Sequence, residues 1–123
     1  MQEWYGISLN KMKEYQLQKA LIQWINLKYP KLLYCASAGG VRTSFTQAKK
    51  MKATGYVKGF PDLFIYEPKG DFHGLAIEIK TEKGRVSISQ INWITKLEER
   101  GYYAKVCKGF DQCKSIIELY MEL

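Results

Sequence analysis

Asp62, Glu78 and Lys80 are the residues of this sequence whose types and spacing could do chemistry together. Side chains alternate along a strand, so the run LAIEIK sets Ala76, Glu78 and Lys80 on one face and Leu75, Ile77 and Ile79 on the other. The second set is core. The first sets a carboxylate beside an amine at the end of a strand. Asp62 opens the preceding apolar run, directly after a turn made by Gly59 and Pro61. Whether Asp62 faces Glu78 depends on the hairpin register across residues 66–75, which the sequence leaves open. If the two carboxylates meet, their repulsion calls for a cation between them. Two carboxylates, a backbone carbonyl and water make an oxygen-rich site suited to Mg²⁺ or Mn²⁺. Such an ion can orient a phosphodiester, lower the pKa of a bound water and stabilise a leaving oxygen. Lys80 would then hold or help deprotonate the attacking water and offset charge developing on the phosphate. The same residues also fit a plain surface ion pair between Glu78 and Lys80, worth under ~1 kcal/mol.

These residues need a scaffold. Residues 11–28 predict a helix: Leu17, Leu21, Trp24 and Ile25 recur at three- and four-residue spacing, and Ala20 and Leu27 widen the stripe. Asn10 is its expected N-cap and Pro30 its stop. Residues 32–36 predict a short strand broken by Gly39-Gly40. Residues 43–53 predict a highly basic helix or an ordered loop, ended by Gly55. Residues 62–66 and 75–80 predict strands joined by a connection rich in Gly, Pro and Asp. Ser87, followed three residues later by Gln90, forms a capping box for a helix with Ile91, Ile94 and Leu97 on one face, ending before Gly101. Residues 102–107 predict a strand. Asp111 is the expected cap of a last helix whose apolar side carries Ile116, Ile117, Leu119 and Tyr120. The alternation implies an α/β fold with a central mixed sheet and helices on both faces. Residues 1–10 read as an arm whose Trp4 and Tyr5 pack elsewhere, and residues 11–123 as a single domain.

A chain of 123 residues suits one core, and 46% hydrophobic residues with only three Pro describe a folded protein. Its apolar runs are a few residues long, against the ~20 needed to span a bilayer. The N-terminus lacks the basic cluster and apolar stretch of a secretory signal, so a cytoplasmic location is expected. Cys35, Cys107 and Cys113 have no metal-ligand spacing, and His73 alone completes no zinc site with them. Reduced thiols are the expectation. The net charge is +7, and no acidic residue lies between Glu14 and Asp62, where Lys19, Lys28, Lys31, Arg42, Lys49, Lys50, Lys52 and Lys58 all fall. That segment suggests a polyanion-facing surface, and a merely solvated face also accounts for it. Arg42, Lys49, Lys50, Lys52 and Lys58 are candidates for phosphate contacts, as are Lys83 and Arg85 after the second strand. Phe45 and Tyr56, with basic neighbours, are candidates for stacking on bases. Trp24, Trp93 and Ile94 fit a core or an interface better. His73 reads as incidental, and no phosphate-binding loop of NTPase type is present.

The run GFPDLFIYEPKGDFHGLAIEIKTEKGRVSISQINWITKLEERGYYAKV resembles the VRR-NUC family within the PD-(D/E)xK nuclease superfamily. Pro61-Asp62 matches its PD and Glu78-Ile79-Lys80 its ExK. Gln90 sits at the family's glutamine on the following helix, with Trp93 and Leu97 after it. Glu14, followed by Gln16-Leu17-Gln18, is similar to the acidic residue of the first helix. The resemblance spans roughly residues 11 to 108. It implies a restriction-endonuclease-like core and a divalent metal, Mg²⁺ or Mn²⁺, held by Asp62, Glu78 and the backbone carbonyl of Ile79, with Glu14 as a further candidate. It implies that Lys80 is the catalytic lysine and that Gln90 contacts the water, the metal shell or the scissile phosphate. Stand-alone members resemble phage and bacterial proteins that form two-fold dimers on branched DNA such as Holliday junctions. A homodimer acting on DNA in the bacterial cytoplasm is the expectation. A flap- or duplex-directed nuclease, or a binding module without turnover, remains a competing reading.

Overall fold

The structure, a computed structural model, describes residues 3–4, 7–8, 13–37 and 44–123. Strands β1 (Glu3–Trp4) and β2 (Ile7–Ser8) form a two-stranded antiparallel pair. The main sheet runs β3 (Tyr34–Ala36), β4 (Leu63–Ile65), β5 (Leu75–Lys80) and β6 (Tyr103–Lys108), in that spatial order. The first two pairings are antiparallel and the last is parallel. A parallel pair needs a long crossover, which helix α3 (Ile88–Glu99) supplies between β5 and β6. The other helices are α1 (Glu14–Lys28), α2 (Phe45–Ala53) and α4 (Phe110–Met121). The mixed sheet with its helices is the restriction-endonuclease-like α/β arrangement expected from the sequence.

The period-two pattern of β5 divides the core in two. Leu75, Ile77 and Ile79 pack with Leu17, Leu21 and Ile25 of α1 and with Cys113, Ile117 and Tyr120 of α4. On the opposite face Ala76 packs with Phe64, Ala104, and Ile94 and Leu97 of α3. Each such side chain withdrawn from water contributes roughly 1.5–3 kcal/mol, so β5 is held from both faces and along both edges. Trp24 packs against the α1–α4 side of the core, and Trp93 with Ile94 against the α3 side. Among the described residues no helix is long and apolar enough to cross a membrane.

Several expectations change. Helix α1 begins at Glu14, not at residue 11, with Lys13 as N-cap and the Gln16 side chain accepting the Lys13 backbone N–H at 3.1 Å. Asn10, the expected cap, lies outside the described residues, as do Tyr5, Gly39-Gly40 and Arg42. The basic segment is a helix rather than a loop, capped by the Ser44 hydroxyl on the Gln47 N–H, yet it buries no side chain. Helix α4 is capped by Gly109 and not by Asp111, which falls inside its first turn. The reason is the absence of a loop: Gly109, at φ +82°, turns the chain directly from β6 into α4. That turn also overturns the expectation of three reduced cysteines. It sets Cys107 and Cys113 with Cα atoms 5.1 Å apart, and the two form a buried disulfide, leaving Cys35 free and exposed.

Candidate active site

The β4–β5 register pairs Leu63 with Ile77, so Asp62, one residue before β4, comes opposite Glu78. The approach of Asp62 is fixed from several sides. Gly59 has φ +94°, and a Cβ there would stand 2.6 Å from the Ser89 carbonyl carbon and oxygen, so the loop before Asp62 lies pressed on the first turn of α3. Pro61 is fully buried. The Asp62 backbone carbonyl accepts the Ser37 N–H at 2.8 Å, and its carboxylate Oδ2 accepts the Ile79 N–H at 2.8 Å. Asp62 thus ties the end of β3 to the C-terminal end of β5.

Glu78, 1% exposed, is the buried charged residue among the described residues. Its Oε2 accepts the Gln90 amide N–H at 3.1 Å and lies 3.7 Å from the Lys80 ammonium. The other end of Gln90 accepts the Ser87 N–H at 2.9 Å, so one side chain both closes the capping box and holds Glu78. Glu78 Oε1 is buried and accepts no hydrogen bond. The Lys80 side chain is only 12% exposed and that of Glu78 only 2%, so their contact is not the surface ion pair that the sequence also allowed.

Glu14 enters from the start of α1, and one carboxylate oxygen each from Glu14, Asp62 and Glu78 lie within 4.8 Å of one another. Burial, then the hydrogen bond and charge of Asp62, push the Glu78 carboxyl up to about 9, against the pull of Lys80. Glu14 is raised too, first by partial burial and then by Asp62. Three carboxylates this close are stable only if they share a proton or a cation. The donor set is all oxygen and includes one orphaned buried atom, which fits a hard divalent ion.

The remaining sequence candidates separate by position. Lys58 and Tyr56 line a cavity of about 180 Å³ with Glu14, Asp62 and Gln90. A larger cavity of about 610 Å³, which also touches Glu14 and Asp62, is bordered by Tyr15, Lys19 and Ser37. Neither includes Lys49, Lys50 or Lys52, which stand exposed on α2, where the Lys49 ammonium lies 5.3 Å from the ring centroid of the exposed Phe45. Lys83 and Arg85 are exposed in the turn between β5 and α3. Ile79 offers its N–H to Asp62 and its side chain to the core. His73 packs on Tyr102 and its backbone N–H bonds the Gly101 carbonyl, away from the carboxylates. Sequence reasoning passed over Ser89, which lines the smaller cavity, and the stripe Asn92, Lys96 and Arg100 farther along α3. Their three- and four-residue spacing was the available signal.

The VRR-NUC domain model matches residues 4–111 of the chain. A solved structure described as a VRR_NUC domain protein is 30% identical and superposes with a TM-score of 0.80, over 91% of this chain and 90% of its own. No curated protein matches. A family match across most of the chain and a shared fold at this identity carry one conclusion: the chain belongs to the VRR-NUC domain family, a family of nucleases.

Proposed function

We propose that the chain is a divalent-metal-dependent DNA endonuclease whose centre is built from Asp62, Glu78 and Lys80, with Glu14 and Gln90 in support. The observation that carries this reading is the cluster of three carboxylates, one of whose buried oxygens accepts no hydrogen bond, beside a largely buried lysine. Asp62, Glu78, the carbonyl of Ile79 and Glu14 would hold the ion. When bound, Mg²⁺ or Mn²⁺ supplies positive charge for the carboxylates and for a phosphodiester oxygen. The protein's own groups do the rest. The Ile79 N–H fixes the Asp62 carboxylate, and the Gln90 amide fixes Glu78, so neither has to reorganise when substrate arrives. The Lys80 amine lies 3.7 Å from Glu78 Oε2, where it would orient or help deprotonate the attacking water and offset charge on the phosphate as the P–O bond breaks. Lys58, at the cavity wall, and Lys83, Arg85, Lys49, Lys50 and Lys52, on exposed turns and α2, are suited to the DNA backbone. Arg42 joins them on sequence grounds.

Branched DNA such as a four-way junction is the proposed substrate, and a homodimer the acting form. The described residues of one chain hold one such centre, so paired incision of two strands requires two copies related by a two-fold axis. The test is a panel of end-labelled four-way junction, flap and linear duplex of matched sequence, with Mg²⁺, Mn²⁺ or EDTA. Paired, metal-dependent nicks on the junction are expected. Equal cutting of all three DNAs would remove the branch preference, and junction binding without cutting under either metal would leave only a binding module.

A further inference from the structure

One side of α3 carries Ser89, Asn92 and Lys96, and Arg100 at its C-cap continues the three- and four-residue spacing. Together with Val57 and Lys58 of the facing loop they wall a cavity of about 380 Å³. Lys58 and Ser89 also line the cavity over Asp62 and Gln90, so the two spaces share a wall. Its floor is apolar. Trp93 is held there by its indole N–H on the Lys58 carbonyl at 3.1 Å and by edge-on contact with Phe60 at 5.1 Å, and Leu97 is buried beside it. Val57 is left 56% exposed at the rim. Among the described residues Lys58, Lys96 and Arg100 form no ion pair.

Cations in the last turn of a helix offset its dipole, which accounts for Lys96 and for the Arg100 guanidinium bonded to the Lys96 carbonyl at 2.9 Å. It does not account for Lys58 on the opposite wall, for the exposed Val57, or for an apolar floor in a cavity that shares the Lys58 and Ser89 wall with the carboxylate site. We infer that this cavity is a nucleotide subsite: it takes one unpaired nucleotide of the DNA strand beside the point of cleavage. The base lies on the Trp93 and Leu97 floor with Val57 at its edge, and the phosphate meets Lys96 and Arg100. The inference rests on the nuclease reading and deepens it. A base inside a continuous duplex has both faces covered by its neighbours, so only an unpaired nucleotide can offer a face to this floor. The volume lies within the ~300–1,000 Å³ range of small-ligand sites. Selection for unpaired nucleotides next to the centre is then built into α3 itself.

The test is made without metal, so that it stands or falls apart from turnover. ¹⁵N-labelled protein in EDTA is titrated with 5′-dAMP and, separately, with inorganic phosphate, and NMR shifts are followed. The expected result is that 5′-dAMP moves the Trp93 indole N–H and the amides of Asn92, Lys96 and Arg100. Phosphate alone should leave the indole in place. The Lys96→Ala/Arg100→Ala double variant should bind 5′-dAMP about tenfold more weakly. Both residues are exposed, so an unchanged amide spectrum elsewhere is expected to show the fold intact. Anisotropy in EDTA then compares a branch carrying one unpaired nucleotide with a fully paired duplex. The wild type should prefer the former, and the double variant should lose that preference together with about 2 units of salt slope. No movement at Trp93, equal effects of phosphate and 5′-dAMP, or no preference for the unpaired nucleotide would each overturn the subsite. Absence of metal-dependent cleavage with these shifts intact would overturn the nuclease reading instead.

Discussion

Replacing Glu78 by Gln should stabilise the metal-free protein near neutral pH while removing its capacity for metal. Burial and Asp62 raise the Glu78 carboxyl from its ordinary 4.5 to about 9. Between those values the folded protein keeps a proton that the unfolded chain has released. Stability from this group is therefore complete below pH 4.5 and is lost as pH rises toward 9, with a limiting slope of ~1.4 kcal/mol per pH unit. Sharing of the proton among the neighbouring carboxyls of Asp62 and Glu14 reduces the difference to ~1–3 kcal/mol at pH 7.5. A Gln amide has no charge to desolvate. It can donate to Asp62, as the protonated acid does, and still accept from Gln90. In a chain of this size ~1 kcal/mol moves Tm by about 4 °C. Thermal unfolding in EDTA from pH 5 to 8.5 should show the two proteins close at pH 5 and Glu78→Gln higher by about 4–12 °C at pH 7.5. Added Mn²⁺ or Mg²⁺ should raise the wild-type Tm and leave the variant unmoved. Parallel pH curves, or a variant less stable than wild type at pH 7.5 in EDTA, would refute the reasoning.

Lys80→Ala should keep DNA binding within a few fold and lower the single-turnover cleavage rate by roughly 10²–10⁴, the usual weight of a positioned acid–base group. Gln90→Glu retains an oxygen for the Ser87 N–H but cannot donate to Glu78. The added carboxylate faces Glu78 Oε2 where the amide stood at 3.1 Å, so the metal-free variant should lose ~1–3 kcal/mol at pH 7.5 as well as kcat, and an unchanged Tm and kcat would show that the Gln90–Glu78 bond does not matter. Gly59→Ala forces a side chain into φ +94° and against the Ser89 backbone. A loss of ~2–3 kcal/mol is expected in denaturant unfolding, and no loss would contradict the packing of this loop on α3.

How much of this was legible in the sequence follows from the range of the signals. The face shared by Glu78 and Lys80 could be read because strand alternation is local, and Ile77 and Ile79 marked the opposite face as core. The meeting of Asp62 with Glu78 could not, because it depends on pairing across residues 66–75, and only the Leu63–Ile77 register supplies it. Gln90 was readable as a capping residue and, through the family resemblance, as a site residue, but not as one side chain spanning Ser87 and Glu78. Gly59 read as a turn; its contact with Ser89 spans thirty residues and leaves no trace in spacing. The Cys107–Cys113 disulfide escaped because it depends on Gly109 passing the chain from β6 into α4 without a loop, where a cap at Asp111 had been expected.

The most direct test of the central claim is single-turnover cleavage of an end-labelled four-way junction, with wild type and Lys80→Ala side by side in Mn²⁺, Mg²⁺ and EDTA. The expected result is cutting by the wild type with metal only, and loss of cutting by Lys80→Ala despite retained binding. Cutting that persists in EDTA, or at the wild-type rate in Lys80→Ala, would contradict a metal-dependent centre built on Asp62, Glu78 and Lys80.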